Sequence, residues 1–366
     1  MKTTLQVKLL PSTDQHAGLL ETMHAFNAAC TWIAEYAFQQ RCASKFLLQK
    51  ALYYEVRTRF GLSAQLAIRA IAKAVEAYKR DKSIQVCFRP DGAVVYDERI
   101  LAFHGLEAVS LMTLHGREVI PMQMGDYQRV RFSRAVGQAD LVVINGTFFL
   151  LVTIDTPEEP PMEPARFLGV DLGIVNLATD SDGNSYTGAP VEVVRQRCGN
   201  ARRTYQATGT RSAKRRLKKM AKNESRFRRD VNHVISKNLV AHAKDTKAAL
   251  VLEDLTHIRS RTTVRKGQRN KHASWSFRQL REFVDYKAVL AGVSVLFVDP
   301  RNTSRTCHRC GFVDKRNRRS QAEFSCLRCG HTLHADLNAA RNLATRGAVN
   351  RPDLVAPVRG QLAFAW

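Results

Sequence analysis

No run of apolar residues in this 366-residue chain approaches the ~18 that a membrane-crossing helix needs, and no signal-peptide pattern opens it. A soluble, intracellular protein is the expectation. Cysteine is scarce and unevenly spread. Cys30, Cys42, Cys87 and Cys198 are scattered, while the other four cluster near the C-terminal end. That distribution argues against a disulfide framework and for a reducing compartment with one metal site. Acidic residues are short as well, 33 Asp and Glu against 57 Lys and Arg. A net charge of +24 calls for a polyanionic partner, with nucleic acid the leading class and an anionic membrane surface its rival.

Against those absences, what is present has a clear order. At ~150 residues per domain the length allows two or three domains with ample core. Thr4–Leu10 reads as a strand stopped by Pro11, and Ser12, Thr13 or Asp14 can cap a helix running to about Gln40. Leu19, Met23, Phe26, Cys30, Ile33 and Ala37 give that helix its apolar stripe. Two further helices are expected near Ser44–Phe60 and Leu62–Arg80. Gln65, Arg69 and Lys73 share one face of the second, where DNA contact or simple solvation is expected; Tyr53 and Tyr54 read more readily as packing than as a base-stacking platform. Short strands follow at Ser83–Phe88, Ala93–Tyr96, Val109–Leu114, Tyr127–Phe132 and Leu141–Ile144. Asn145-Gly146 between two apolar runs signals a hairpin. Pairing these strands with Thr4–Leu10 makes a small barrel with the helices inserted. A proline-rich stretch, Thr156–Pro164, links to the second half.

The second half opens on FLGVDLGIVNLATD, an apolar strand interrupted by Asp171. A lone carboxylate in a core costs several kcal/mol unless it is paired or binds a metal. Two other acids are placed to join it: Glu253 ends the apolar run Ala248–Leu252, and Asp336 opens DLNAARNLA. Three acids on three elements point to a divalent-metal site. Alternation sends Glu253 and its neighbour Asp254 to opposite faces, so only Glu253 is assigned to it. Asp180 and Asp182 read as turn residues. Between the two strands, residues 195–229 hold fourteen Lys and Arg against Glu224 alone. Such a helix repels itself without a polyanion, so Arg211, Lys214, Arg215, Arg216, Lys218 and Lys219 are candidate nucleic-acid contacts. An amphipathic helix is expected over Val231–His242, a basic loop over Arg259–His272, a helix over Trp275–Ala291 and a third buried strand over Val293–Val298.

Cys307-x2-Cys310, fifteen residues, then Cys326-x2-Cys329 is the most specific local signal. Four thiolates leave no open position, which defines a structural Zn²⁺ site with His308 and His331 as spectators. Arg301 and Arg305 beside it are further nucleic-acid candidates.

GVDLGIVNLAT, then VLEDL, then a four-cysteine ribbon ahead of HADLNAARN resembles the TnpB family, insertion-sequence-encoded RNA-guided nucleases similar to miniature type V CRISPR effectors. The resemblance is strongest over residues 167–346. One departure is His334-Ala335-Asp336 where many relatives carry Asp-Arg-Asp; Asp336 aligns with the acid that matters. The resemblance implies an α+β multidomain chain. Its parts would be a wedge-like β-barrel (1–11 and 81–160), a helical recognition insert (12–80), and a RuvC-like, RNase H-type nuclease domain (165–300 and 331–346). A zinc ribbon (301–330) and a tail (347–366) complete it. Asp171, Glu253 and Asp336 would be the catalytic triad, holding two Mg²⁺ for phosphodiester hydrolysis. The implied partners are a guide RNA from the transposon end and a target double-stranded DNA carrying a short flanking motif, in the cytoplasm or nucleoid of a prokaryote. Two alternatives stand beside this: a nuclease-dead RNA-guided DNA-binding regulator, and an actin-like or sugar-kinase-type ATPase.

Overall fold

Leu5, Val7 and Leu9 alternate with polar neighbours, and the strand they make, β1 (Lys2–Leu9), buries that face at the centre of the first sheet. The computed structural model describes residues 1–133, 135–254 and 277–350, and the chain divides into two units, 1–157 and 158–366. In the first unit, β1 lies between β5 (Gly116–Gln123) and β7 (Thr147–Asp155). Beyond β5 come β4 (Ala108–Thr113) and β3 (Leu101–His104); beyond β7 come β6 (Ala135–Ile144) and β2 (Val94–Tyr96). The edge strands β2 and β3 are consecutive in the chain, so this seven-stranded antiparallel sheet nearly closes on itself. The Tyr96 hydroxyl on one edge donates to the Met112 carbonyl of β4 at 2.9 Å. Asn145 and Gly146, both at positive φ, turn β6 into β7 with Ile144 paired to Thr147.

Three helices pack on this sheet. The first, α1 (Thr13–Gln39), is capped by Ser12 in a box with Gln15 and buries the stripe Leu19, Met23, Phe26, Cys30, Ile33 and Ala37. Next come α2 (Lys45–Phe60), ended by Gly61 at φ 66°, and α3 (Ala64–Arg80). Two expected strands are corrected. Residues 83–88 form no strand, because their backbone turns to α1 instead: the Phe88 N–H donates to Thr31 Oγ1 at 3.0 Å. Residues 127–132 lie in a short helix, α4 (Asp126–Phe132), whose N-terminus is closed by the Gln128 side chain accepting the Gly125 N–H at 2.8 Å. Tyr127 and Val130 face solvent and Phe132 alone is buried, so the apolar residues there do not line one buried strand face. The strand β5 carries Pro121, which argues against a central strand; β1 pairs with it only at Gln123 and Met122, beyond the proline.

In the second unit the sheet runs β10 (Ser185–Thr187), β9 (Asn176–Asp180), β8 (Arg166–Asp171), β11 (Ala248–Glu253), β12 (Val295–Val298). β8, β11 and β12 are parallel; β9 and β10 are antiparallel to their neighbours. Two helices lie between β10 and β11: α5 (Ala189–Thr208) and the 35-residue α6 (Arg211–Asp245). The C-terminal half of α6, with Ile235, Leu239, Val240 and Ala243, packs with α7 (Phe277–Leu290) over Leu168, Val170, Leu250 and Leu252. The opposite face holds Val251, Val298 and Leu343, the last from α8 (Ala335–Val349). Period-two alternation therefore puts Asp171 and Glu253 on the α8 face, with Gly169 and Val251. The small pair β13 (Glu323–Ser325) and β14 (Thr332–His334) precedes α8. Trp275, Leu255 and the basic stretch 259–272 lie outside the described residues, as do residues 351–366 of the expected 347–366 tail, whose residues 347–349 continue α8.

Candidate active site and four-cysteine cluster

Parallel β8 and β11 end side by side, Val170 paired with Leu252, so Asp171 and Glu253 leave the sheet at its carboxyl edge. Asp336 comes from the first turn of α8. Two glycines let that helix reach the sheet. A Cβ on Gly169 would stand 2.0 Å from the Ala340 carbonyl oxygen, and one on Gly347 would stand 2.4 Å from Val251 Cγ2. Gly173 allows the chain after β8 to double back, where a Cβ would meet the Asn176 carbonyl at 2.5 Å. The result is a cavity of about 260 Å³ lined by Asp171, Glu253, Asp336, Thr303, Arg318 and Gln321, among others.

The electrostatics of this cavity are those of an acid cluster. Burial, then the charges of Glu253 and Asp336, push the Asp171 carboxyl well above the usual carboxylate range. Burial also raises Glu253, partly offset by the Thr303 hydroxyl, which donates to Glu253 Oε1 at 2.6 Å. Asp336 Oδ2 accepts from Asn176 Nδ2 at 3.0 Å, and Arg318 stands 3.9 Å from Oδ1. Hard oxygen donors whose charges oppose one another suit a divalent cation of the Mg²⁺ kind. Asp254 is turned away, its carboxylate 2.8 Å from Arg281. Asp180 is fully buried in its own turn, accepting from the backbone N–H groups of Asp182 and Asn184.

Cys307, Cys310, Cys326 and Cys329 place their sulfurs within 4.8 Å of one another; among the described residues no other group of His, Cys, Asp or Glu closes so tightly. The sulfur separations of 3.5 and 3.7 Å are near the ~3.8 Å edge of a tetrahedron with metal–sulfur bonds of ~2.3 Å. Gly311 and Gly330, at φ 72° and 69°, make the knuckle turns. His308 contributes to packing: its Nδ1 lies 3.2 Å from Asn338 Oδ1 and its ring 4.7 Å from that of His331.

The candidate nucleic-acid contacts divide sharply. Arg211, Lys214, Arg215, Arg216, Lys218 and Lys219 are all exposed on the N-terminal half of α6, where Ala213 and Glu224 alone are buried before Asn232. The one acid there, Glu224, is taken by Arg202 at 3.0 Å. Arg301 and Arg305 are exposed too. Gln65, Arg69 and Lys73, expected to meet DNA or solvent, are half-buried and hydrogen-bonded within the first unit. Gln65 and Arg69 both bind Asp97, Arg69 at 2.8 Å. Lys73 donates to Asn27 Oδ1 at 2.8 Å and to the Ala93 carbonyl, and burial holds its ammonium below its usual range. Helical spacing puts the three on one face, and that face is half-buried. Tyr54 is 77% exposed and lines, with Arg57, Ser63 and Leu114, a groove of about 540 Å³. Thr303, Asn176, Arg318 and Gln321 carry no sequence signal of their own, since only the fold brings them to the acids.

The carboxylate cavity thus stands at the carboxyl ends of parallel β8 and β11, in a unit that also carries the four-cysteine cluster. Two family models match: "Probable transposase" over residues 149–258 and "Cas12f1-like, TNB domain" over 277–343. The chain is 32% identical over 215 residues to the CRISPR-associated endodeoxyribonuclease Cas12f1 of Sulfoacidibacillus thermotolerans, covering 54% of this chain and 50% of that one. It is 29% identical over 269 residues to the "Putative RNA-guided DNA endonuclease InsQ" of Escherichia coli (strain K12), covering 67% and 66%. A TnpB-like protein of Methanocaldococcus jannaschii is 33% identical over 128 residues, covering 35% and 45%. The chain spans about half the length of the first two curated relatives it matches. Its fold is that of a Cas12f1 solved with guide RNA and target DNA (TM-score 0.61, 12% identity, covering 89% and 82%). A second structure with this fold is a mini-RNA-guided endonuclease, CRISPR-Cas_phi3 (TM-score 0.58, 10% identity, 98% and 94%). The chain is thus similar to TnpB-like and Cas12f proteins, the resemblance its motifs implied. Among the described residues, no helix is long and apolar enough to cross a membrane.

Proposed function

We propose that the chain is an RNA-guided DNA endonuclease that hydrolyses target DNA beside a short flanking motif. The observation that carries this reading is the convergence of Asp171, Glu253 and Asp336, from three distant segments, on one cavity. In this reading the β8–β12 sheet with α6, α7 and α8 is a RuvC-like nuclease domain, and the nearly closed sheet of the first unit is the wedge barrel. The three acids would hold Mg²⁺, which when bound supplies an activated water and neutralises charge at the leaving oxygen of a phosphodiester. Zn²⁺ would occupy the four cysteines and shape the ribbon without taking part in chemistry. The exposed basic half of α6, with Arg301 and Arg305, would hold nucleic-acid backbone, and sequence choice would rest on pairing with a guide RNA. Arg318 and Gln321, from the ribbon, line the same cavity and can orient a phosphate there. A nuclease-dead regulator would be marked by loss of an acid, and all three are present.

The test is guide-loaded protein on a matched duplex, with Mg²⁺ and then with chelator. Asp171→Ala should lower cleavage by several orders of magnitude while guide and target affinity stay within a few-fold. Cleavage that persists in Asp171→Ala, or in chelator, would overturn the assignment.

A further inference from the structure

Each outer acid of the cavity has one oxygen already taken by a neutral donor. Thr303 Oγ1 lies 2.6 Å from Glu253 Oε1, and Asn176 Nδ2 lies 3.0 Å from Asp336 Oδ2, while Asp336 Oδ1 faces the Arg318 guanidinium at 3.9 Å, beyond hydrogen-bond reach. We propose that Thr303 and Asn176 are positioning residues that fix the rotation of these two carboxylates and leave the second oxygen of each for the cation. The proposal rests on the metal-binding reading of the three acids.

The choice of donor matters. An arginine fork on either acid would neutralise it and occupy both oxygens. A hydroxyl or a carboxamide holds one oxygen, leaves the charge in place and prevents the free oxygen from swinging away. Thr303 is 3% exposed and has one proton to give; its other acceptor, the Pro300 carbonyl, is farther at 3.0 Å. The bond to the carboxylate is the shorter, as charge assistance requires.

Thr303 is itself held by α8. Asn342, 5% exposed, uses its amide to donate to the carbonyls of Thr303 (2.8 Å) and Thr306 (2.7 Å). Asn338, fully buried, donates to the Thr306 carbonyl at 2.8 Å and accepts the His308 N–H at 3.1 Å. The helix that presents Asp336 therefore also fixes the turn that orients Glu253. On the other side, the tight loop after β8 seats Asn176 against Gly173 and aims its amide at Asp336.

The experiment measures Mn²⁺ binding to the full chain without RNA, by the loss of the free-ion magnetic resonance signal. Asp171→Ala defines the background. Thr303→Val and Asn176→Ala should each weaken the Asp171-dependent sites about tenfold or more. Thr303→Ser, which keeps the hydroxyl, should stay within about twofold of wild type. Zinc content and melting temperature are recorded for each variant; if Thr303→Val fails to fold, Asn176→Ala and Thr303→Ser decide. Unchanged Mn²⁺ affinity in a folded Thr303→Val or Asn176→Ala, set against its loss in Asp171→Ala, overturns the positioning role alone. Wild-type Mn²⁺ binding by Asp171→Ala overturns the metal-site reading, and the positioning role with it.

Discussion

Gly169 lies backbone to backbone against Ala340: a Cβ at Gly169 would stand 2.0 Å from the Ala340 carbonyl oxygen and 2.5 Å from the Ala344 nitrogen. Neither atom can rotate out of the way, because both belong to the main chain of α8. Gly169→Ala must therefore lift α8 from β8, and with it Asp336 from Asp171. Overpacking costs ~1–3 kcal/mol and more where the obstacle is backbone. We expect at least about 3 kcal/mol of destabilisation and loss of cleavage, read by chemical denaturation and by the duplex assay. Wild-type stability in this variant would mean that the helix packs less closely than described.

The raised carboxyl of Asp171 has a defined pH consequence. Its folded pKa lies above the ordinary value, so the folded chain binds the proton more tightly than the unfolded chain. The stabilisation is complete below the ordinary carboxylate range and is lost as pH rises through the folded value. In chelator, the melting temperature should fall over that window, and Asp171→Asn should reduce the fall. At pH 8, Asp171→Asn should then be the more stable protein without divalent ions, and Mg²⁺ should reverse the order. Identical melting curves for the two proteins in chelator would refute this.

One zinc ion per chain is expected by elemental analysis. Cys307→Ser or Cys329→Ser should release it and lower the stability of the second unit, because a closed thiolate site contributes folding energy directly. Fully active protein devoid of zinc would contradict the assignment.

Charge reversal on α6 and substitution on α3 should separate cleanly. Changing Arg215, Arg216, Lys218 and Lys219 to Glu should weaken RNA binding and flatten its salt dependence, since fewer counterions are released. Changing Gln65, Arg69 or Lys73 should instead lower the melting temperature and leave the salt slope alone, because their partners are Asp97, Asn27 and Ala93. Tyr54→Ala is the substitution expected to relax flanking-motif preference, by ~1–3 kcal/mol at one position. A scan that shows the reverse pattern would return the contact face to α3.

Asp171 and Glu253 were legible because one breaks and the other ends an apolar run, where a charge needs a reason; Asp336 was legible only as the acid that opens DLNAARNLA. Alternation even separated Glu253 from Asp254. The four cysteines were legible because knuckle spacing is local. The partners of Gln65, Arg69 and Lys73 were not legible, because helical period shows which residues share a face, never what the face meets. The strand expected over residues 127–132 failed for a related reason: alternation over six residues does not distinguish a buried strand from a short capped helix. Thr303 and Asn176 could not be read at all. Their roles exist only through Glu253 and Asp336, which reach them by tertiary folding.

The doubled duty of α8, presenting Asp336 and pinning the turn of Thr303, bears on the timing of synthesis. Asn176 and Asp336 are 160 residues apart. At ~5–20 residues per second, roughly 10–30 s separate their emergence from the ribosome. For the later two thirds of that interval, once residue 229 has emerged, the basic half of α6 is available to nucleic acid, while the carboxylate cavity lacks one wall and its clamp. Under the proposed function, a nascent chain of this design would hold nucleic acid before its carboxylate site is complete.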